Sequence, residues 1–305
     1  HTLDDTSYTH IKNSTIEYAT DGIYCESSNP TISNCTIQNN ADGIHADANS
    51  QPTITGNTFT GNTRPVSVYA ARINNTISGN TYTGNTKDYI EVQTDVIDDN
   101  GTFVWAKDNA PYVVVGDVYV QRANNSSQLS TLQIASGTTV KFTSSADLFI
   151  GHESNSSYRG ALIATGVTFT SFDSTGWPGI DFRNQAYDAS CLLDSCTIEN
   201  ATDGIYCATS NPTITNCTIR NNTDGIYADA GSQPTITGNT FTGNTFPVRI
   251  YGRNIDNNLS GNTYSGNFAA DNSSSDYIYV YGDGDDYRLG ENKTYDWLKD
   301  GAPYR

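Results

Sequence analysis

The chain repeats itself on two scales, and the shorter one restricts its fold most. Ile16, Ile37, Phe59 and Tyr82 recur at intervals of 21, 22 and 23, and Ile23, Ile44 and Val66 recur in step with them. Ile198, Ile219, Phe241 and Tyr264 repeat the series in the second half. Each period holds three short strand signals: Pro-Thr-Ile, then Cys/Asn-Thr-Ile/Phe, then Gly/Pro-Ile/Val. Gly, Asn, Asp or Pro flanks each of them. Segments this short and this alike cannot pair as hairpins. They stack in parallel on their own copies one period away, about 4.8 Å apart, with hydrogen bonds running between rungs.

The longer repeat is a duplication. Residues 15–66 and 197–248 align without a gap at an offset of 182, and nine of the 52 positions differ. Both copies run on to a Trp and an Ala-Pro-Tyr, Trp105 to Tyr112 and Trp297 to Tyr304. Between them Leu132, Ile134, Val140, Phe142, Leu148 and Ile150 alternate with polar residues, without a linker composition. The pattern predicts an all-β fold: a single right-handed parallel β-helix, a three-sided solenoid of about 11–12 rungs. It is expected to be one continuous domain over residues 1–305. The module copies are 1–111 and 192–303, with irregular rungs over 112–191.

That register assigns positions. Ile32, Ile54, Ile77, Ile214 and Ile236 point inward; Thr36, Thr58, Thr218 and Thr240 point outward. Asn57 with Asn80, and Asn40 with Asn62 and Asn85, fall at corners, where stacked amides bond one another and the turn backbone. Cys25 and Cys207 point into the core. Cys196 and Cys217 share one corner column, where stacked buried thiols are favoured over a disulfide.

Charge narrows the partners. The formal net charge is −17 with 16 basic residues, so nucleic acid, which needs a basic face, is not expected. No stretch approaches the length of a membrane-spanning segment, so no membrane insertion is expected. Thirteen Asn-x-Ser/Thr sites and a chain that opens at His1, as a processed one would, favour an extracellular or cell-surface location.

The Asn-rich rungs, the Gly-Ile strands and the segments GALIATGVTFTS (160–171) and GWPGIDF (176–182) resemble the parallel β-helix repeat proteins of the pectate-lyase-like superfamily. Within it they are similar to large surface proteins of methanogenic archaea, including the disaggregatase-type proteins that act on an acidic polysaccharide coat. The resemblance implies the fold over nearly the whole chain. It leaves activity open, because the superfamily holds lyases, hydrolases, adhesins and purely structural members.

No standard catalytic motif is present. Stacking by one period places Asp21, Asp42 and Arg64 in one column, His45 between Tyr24 and Ser67 in the next, and Glu26, Asp47 and Tyr69 in a third. Glu26, Asp42, His45, Asp47 and Arg64 are therefore the candidate catalytic residues for acid–base work on a sugar. The competing reading is a solvated face, since Asp21, Asp42 and Asp47 recur as Asp203, Asp224 and Asp229 while Glu26, His45 and Arg64 become Ala208, Tyr227 and Phe246. Asp283, Asp285 and Asp286 are the metal candidates, with Ca²⁺ as the ion; no cofactor is otherwise required. Two roles are expected. The first is a structural or adhesive surface protein, with self-stacking of open coil ends (Trp297–Tyr304 against residues 1–16) or surface polysaccharide as partner. The alternative is a lyase or hydrolase of a uronate-containing polysaccharide.

Overall fold

The computed structural model describes residues 9–122, 128–255, 258–268, 276–281 and 300–305. Among these, the regular elements are short strands and three single-turn 3-10 helices. The strands form a right-handed parallel β-helix. One sheet of eleven strands runs through both copies, beside sheets of eight and seven strands. Two four-stranded sheets belong to the first copy alone.

The predicted ladders are in register. Ile16, Ile37 and Phe59 stack, as do Ile32, Ile54 and Ile77 and Ile23, Ile44 and Val66. Ile32, Ile54, Ile77, Ile214 and Ile236 are buried, and Thr58 and Thr240 are exposed, with Thr36 and Thr218 half-buried. Each fully buried Ile or Phe contributes about 1.5–3 kcal/mol. One such side chain per strand per rung is what a narrow core can hold. In the middle of the chain the stack continues although the rungs lengthen, with Val140 seated on Tyr112 and Phe169 on Val140.

The two copies do not face the same way. Asp21–Cys25 is the third described strand and its copy Ala201–Cys207 the twenty-fifth. That separation is seven three-strand rungs and one strand more, so the second copy is stepped round the coil by one side. The eleven-stranded sheet accordingly carries the Asp-Gly-Ile strands of the first copy and the Cys-Thr-Ile strands of the second. The second copy's Asp-Gly-Ile strands lie on the eight-stranded sheet. The extra side begins at Asp95–Ile97, where the Ala71 N–H, in the 3-10 turn below, donates to Asp95 Oδ2 at 3.0 Å.

Corners are closed by side-chain ladders. The Cys35 N–H donates to Asn57 Oδ1 at 2.9 Å, the Asn57 N–H to Asn80 Oδ1 at 2.9 Å, and the Asn80 N–H to Asp108 Oδ1 at 3.0 Å. Each amide also donates back to a carbonyl of the rung before, Asn57 to Ile32 and Asn80 to Ile54, both at 2.9 Å. The second copy repeats this through Cys217, Asn239, Asn262 and Asp300. The next corner does so through Asn40, Asn62, Asn85 and Asp88, and its copy through Asn222, Asn244, Asn267 and Asp276. An Asp ends every one of these ladders, because the last Asn needs an acceptor for both its N–H and its amide and has no Asn above it. Below the asparagines of the first corner a thiol takes the amide's place: Cys35 and Cys217 donate to the carbonyls of Ile11 and Leu193, one rung before, both at 3.5 Å. All six cysteines are buried and unbridged, Cys196 and Cys217 among them.

Asn239→Ala should orphan the Cys217 N–H and the Ile214 carbonyl and lower stability by about 1–3 kcal/mol per orphaned group, measured by chemical denaturation. Thr240→Ala, one residue on but outward, should change it by less than about 0.5 kcal/mol. Ile54→Asp should prevent folding, since an unpaired charge would enter a dry core; a variant that melts like the parent would refute the inward register.

Candidate functional site

The first-copy groove forms as the period requires, but its charges are spent on one another. Asp21, Asp42 and Arg64 stack in one column, and Tyr24, His45 and Ser67 in the next. Arg64 grips Asp42 with a two-pronged fork, Nε and Nη2 each donating at 2.5 Å. Its Nη1 donates to Glu91 at 2.8 Å, and Lys87 covers the other Glu91 oxygen at 3.0 Å. His45 Nδ1 lies 3.6 Å from Asp21 and 4.0 Å from Asp42.

Ligand atoms of Asp21, Asp42 and His45 come within 4.8 Å of one another. A cation there would compete with Arg64, which already bonds both oxygens of Asp42. Asp47 is a corner staple: its carboxylate accepts from Ser50 Oγ at 2.6 Å, the Asn49 N–H at 3.0 Å and the Ser27 N–H at 3.1 Å. Although its partial burial acts the other way, those bonds hold its carboxyl below the usual range. Asp229 makes the same contacts in the second copy. Glu26 is exposed at the rim. Asp283, Asp285 and Asp286 lie outside the described residues.

The sequence reading missed a second place, on the eight-stranded sheet. Trp177–Phe182 pairs with Ala201–Cys207, and the register shifts between Gly179 and Ile180. Such a bulge re-aims the strand and interrupts the outward ladders. Gly179 is required there: its φ is +141°, and a Cβ would sit 1.7 Å from the Asp203 carbonyl oxygen. Beside the bulge is a cavity of about 260 Å³ whose lining includes Asp147, Asp181, Asp203, Trp177 and Tyr206.

The three carboxyls of this cavity are all harder to ionise than usual. Burial, then the charges of Asp117 and Asp181, pushes Asp147 up to about 6. Burial also raises Asp181, against the pull of Arg183, whose Nε donates to Oδ2 at 3.1 Å. The other Asp181 oxygen is buried with no donor. Asp203 is raised by burial, against the opposing pull of Asp224, its neighbour one rung on, and of Arg249. Asp224 is itself pushed up to about 7 by burial and by Asp203, although Arg249 Nη1 donates to it at 2.5 Å. Clustered groups shifted by burial and by like charges in a cleft are the electrostatic mark of acid–base sites.

The copies thus neutralise the same aspartate differently. Arg64 is replaced by Phe246, and the guanidinium is supplied instead by Arg249, at the position of Ser67. Arg249 lies between the rings of Tyr227 and Tyr281, 4.5 and 4.9 Å from their centroids.

A family model described as a right handed beta helix region matches residues 2–126 and 150–284. The chain belongs to this family. No curated protein and no solved structure matched it. Membership of the β-helix family accounts for the coil and its ladders and is silent on chemistry, so the case for any site rests on geometry.

Stability should depend on pH in a stated direction. Unfolded aspartates titrate near about 3.9, whereas Asp147 and Asp224 hold their protons to about 6 and about 7. Native protons are retained that the unfolded chain gives up. Their contribution is therefore complete below about pH 4 and is lost as pH rises through about 6–7. Melting temperature should be higher at pH 5 than at pH 7.5, and Asp147→Asn should narrow the difference.

Proposed function

We propose that the chain is an extracellular, cell-surface β-helix that acts on polysaccharide, with the bulge cavity as its hydrolytic site. The observation that carries this reading is the set of three carboxyls around one cavity, Asp147, Asp181 and Asp203, each raised in pKa, where a β-bulge breaks the strand register. Glycoside hydrolysis needs one carboxyl that is protonated and another that is not. Asp147, buried beside the charges of Asp117 and Asp181, fits the acid. Asp181, the carboxylate anchored by Arg183, fits the base. In the step, the acid protonates the glycosidic oxygen as the bond to the anomeric carbon breaks. Water attacks that carbon, and Asp181 takes the proton water loses.

The first-copy groove fits this role less well, because Arg64 and Lys87 already neutralise Asp42 and Glu91. A purely adhesive or structural protein would use the same face without cleaving what it holds, and the assay separates the two. Incubation with a panel of neutral and uronate-containing polysaccharides should release reducing ends. Asp181→Asn and Asp147→Asn should each lower the rate by at least about a hundredfold with little change in melting temperature, while His45→Ala should leave it intact. Binding without any release, in parent and variants alike, would return the protein to the adhesive role. Unsaturated ends in place of ordinary reducing ends would indicate elimination.

A further inference from the structure

One outward column crosses the whole eight-stranded sheet and passes over the cavity. From strand to strand it reads Val96, Tyr119, Phe149, Asp181, Tyr206, Tyr227, Arg249, Tyr279. Five of these eight are aromatic, and all five rings are half-exposed. The matching column of the first copy reads Tyr24, His45, Ser67, Glu91, so neither the fold nor the duplication requires the aromatics. Tyr119 stacks on Phe149 at 4.9 Å between centroids, and Tyr206 lies 5.3 Å from Tyr227. Rings piled this way turn their edges, and for tyrosine their hydroxyls, to solvent, one per rung. The pile is interrupted only once between Tyr119 and Tyr227, by Asp181. Below the gap Arg183 caps Phe149 at 3.6 Å. Above it, Tyr206 has Asp181 and not a ring as its neighbour on that side and lines the cavity.

We infer that this column is the track of a long glycan chain laid along the coil axis, with one sugar ring packed on Tyr206 beside Asp181. The inference rests on the hydrolytic reading above and names its substrate class. A cavity of about 260 Å³ is smaller than the roughly 300–1,000 Å³ of pockets that enclose a whole drug-sized ligand, so it takes a single ring and leaves the rest of the polymer on the sheet. Edges and hydroxyls repeated at the rung spacing suit a polymer that presents hydroxyls along its length. Charge selects among polymers. Asp117, Asp147, Asp181, Asp203 and Asp224 crowd the cavity side of the track, while Arg183 and Arg249 are already paired with Asp181 and Asp224. A uronate at the cavity would meet uncompensated like charge, so the ring held there is a neutral sugar. Because the track continues on both sides of Asp181, the bond attacked is internal to the polymer.

The test uses the whole chain and the polysaccharide that it cleaves best, or binds best if none is cleaved. Binding is measured by affinity electrophoresis on the Asp181→Asn variant, and cleavage by the size distribution of early products. Tyr206→Ala should weaken binding roughly three- to tenfold, and Tyr206→Phe should restore most of it, because a ring face is what is lost. Tyr119→Ala should slow cleavage of long chains and leave short oligosaccharides unaffected. Early products should be fragments of intermediate length. Cleavage by the parent with Tyr206→Ala and Tyr119→Ala both indistinguishable from it, or release of single sugars from the outset, would overturn the track and leave the hydrolytic site standing. Tyrosine-dependent binding with no cleavage by any variant would remove the hydrolytic reading and keep the track. Tighter binding of polyuronates than of neutral glycans would overturn the assignment of the sugar.

Discussion

Everything in this coil depends on satisfying the backbone at its corners. A three-sided solenoid turns sharply three times per rung, and each turn carries N–H and C=O groups away from water with no strand partner. Leaving one such group unpaired costs about 1–3 kcal/mol, and the cost would recur every rung. The asparagine amide meets it because it accepts through its oxygen from the rung before while donating through its nitrogen, as Asn57 does between Cys35, Ile32 and Asn80. The ladder propagates indefinitely in one direction but cannot stop on an asparagine. The carboxylates of Asp108 and Asp300 solve that, each taking the amide and backbone N–H of the last Asn and the hydroxyl of a neighbouring tyrosine, Tyr82 or Tyr264.

Against this regularity, chemistry requires an interruption. Ladders of identical residues present the same surface rung after rung and place like groups above like groups, which for aspartates is unfavourable. In the first copy the conflict is relieved by Arg64, held in register with Asp42. In the second copy the arginine has moved, Asp224 is pushed up by burial and by Asp203, and the strand that carries Asp203 has one residue, Gly204, more than the strand one rung before it. Carboxyls that resist ionisation, space beside them and a row of rings leading to that space occur together there. They arise because the ladder slips locally and cannot be fully paired.

The ladders of Ile, Thr and Asn were legible because each is a residue type recurring at the rung period. So was the column that sets His45 between Tyr24 and Ser67. The ladder-ending aspartates were not, since Asp108, Asp300, Asp276 and Asp88 stand at four different separations from the asparagines that they cap. The cavity escaped for a related reason: Asp147 and Asp181 lie outside the duplicated segment, and of the three only Asp203 belongs to a ladder, with Asp224. Pro-Gly in the segment GWPGIDF was the single local sign of a bulge. Nor could the duplication reveal that its copies face different sides, because the offset between them does not state how many strands the longer middle rungs contain.

The sequence by itself determined what repeats: a parallel coil, its inward Ile and outward Thr, its asparagine corners. Each of these follows from residue type and spacing over one period, and neighbouring rungs are the only partners involved. Tertiary structure decided which faces the copies present and which acidic groups meet. Both depend on a running sum over irregular rungs, in which one additional strand rotates everything after it by a side. The one-residue slip opposite Gly179, where Gly204 is extra, likewise alters which carboxylates meet around the cavity. Local pattern is insensitive to such sums, whereas the contacts of Asp147, Asp181, Asp203 and Tyr206 consist of nothing else.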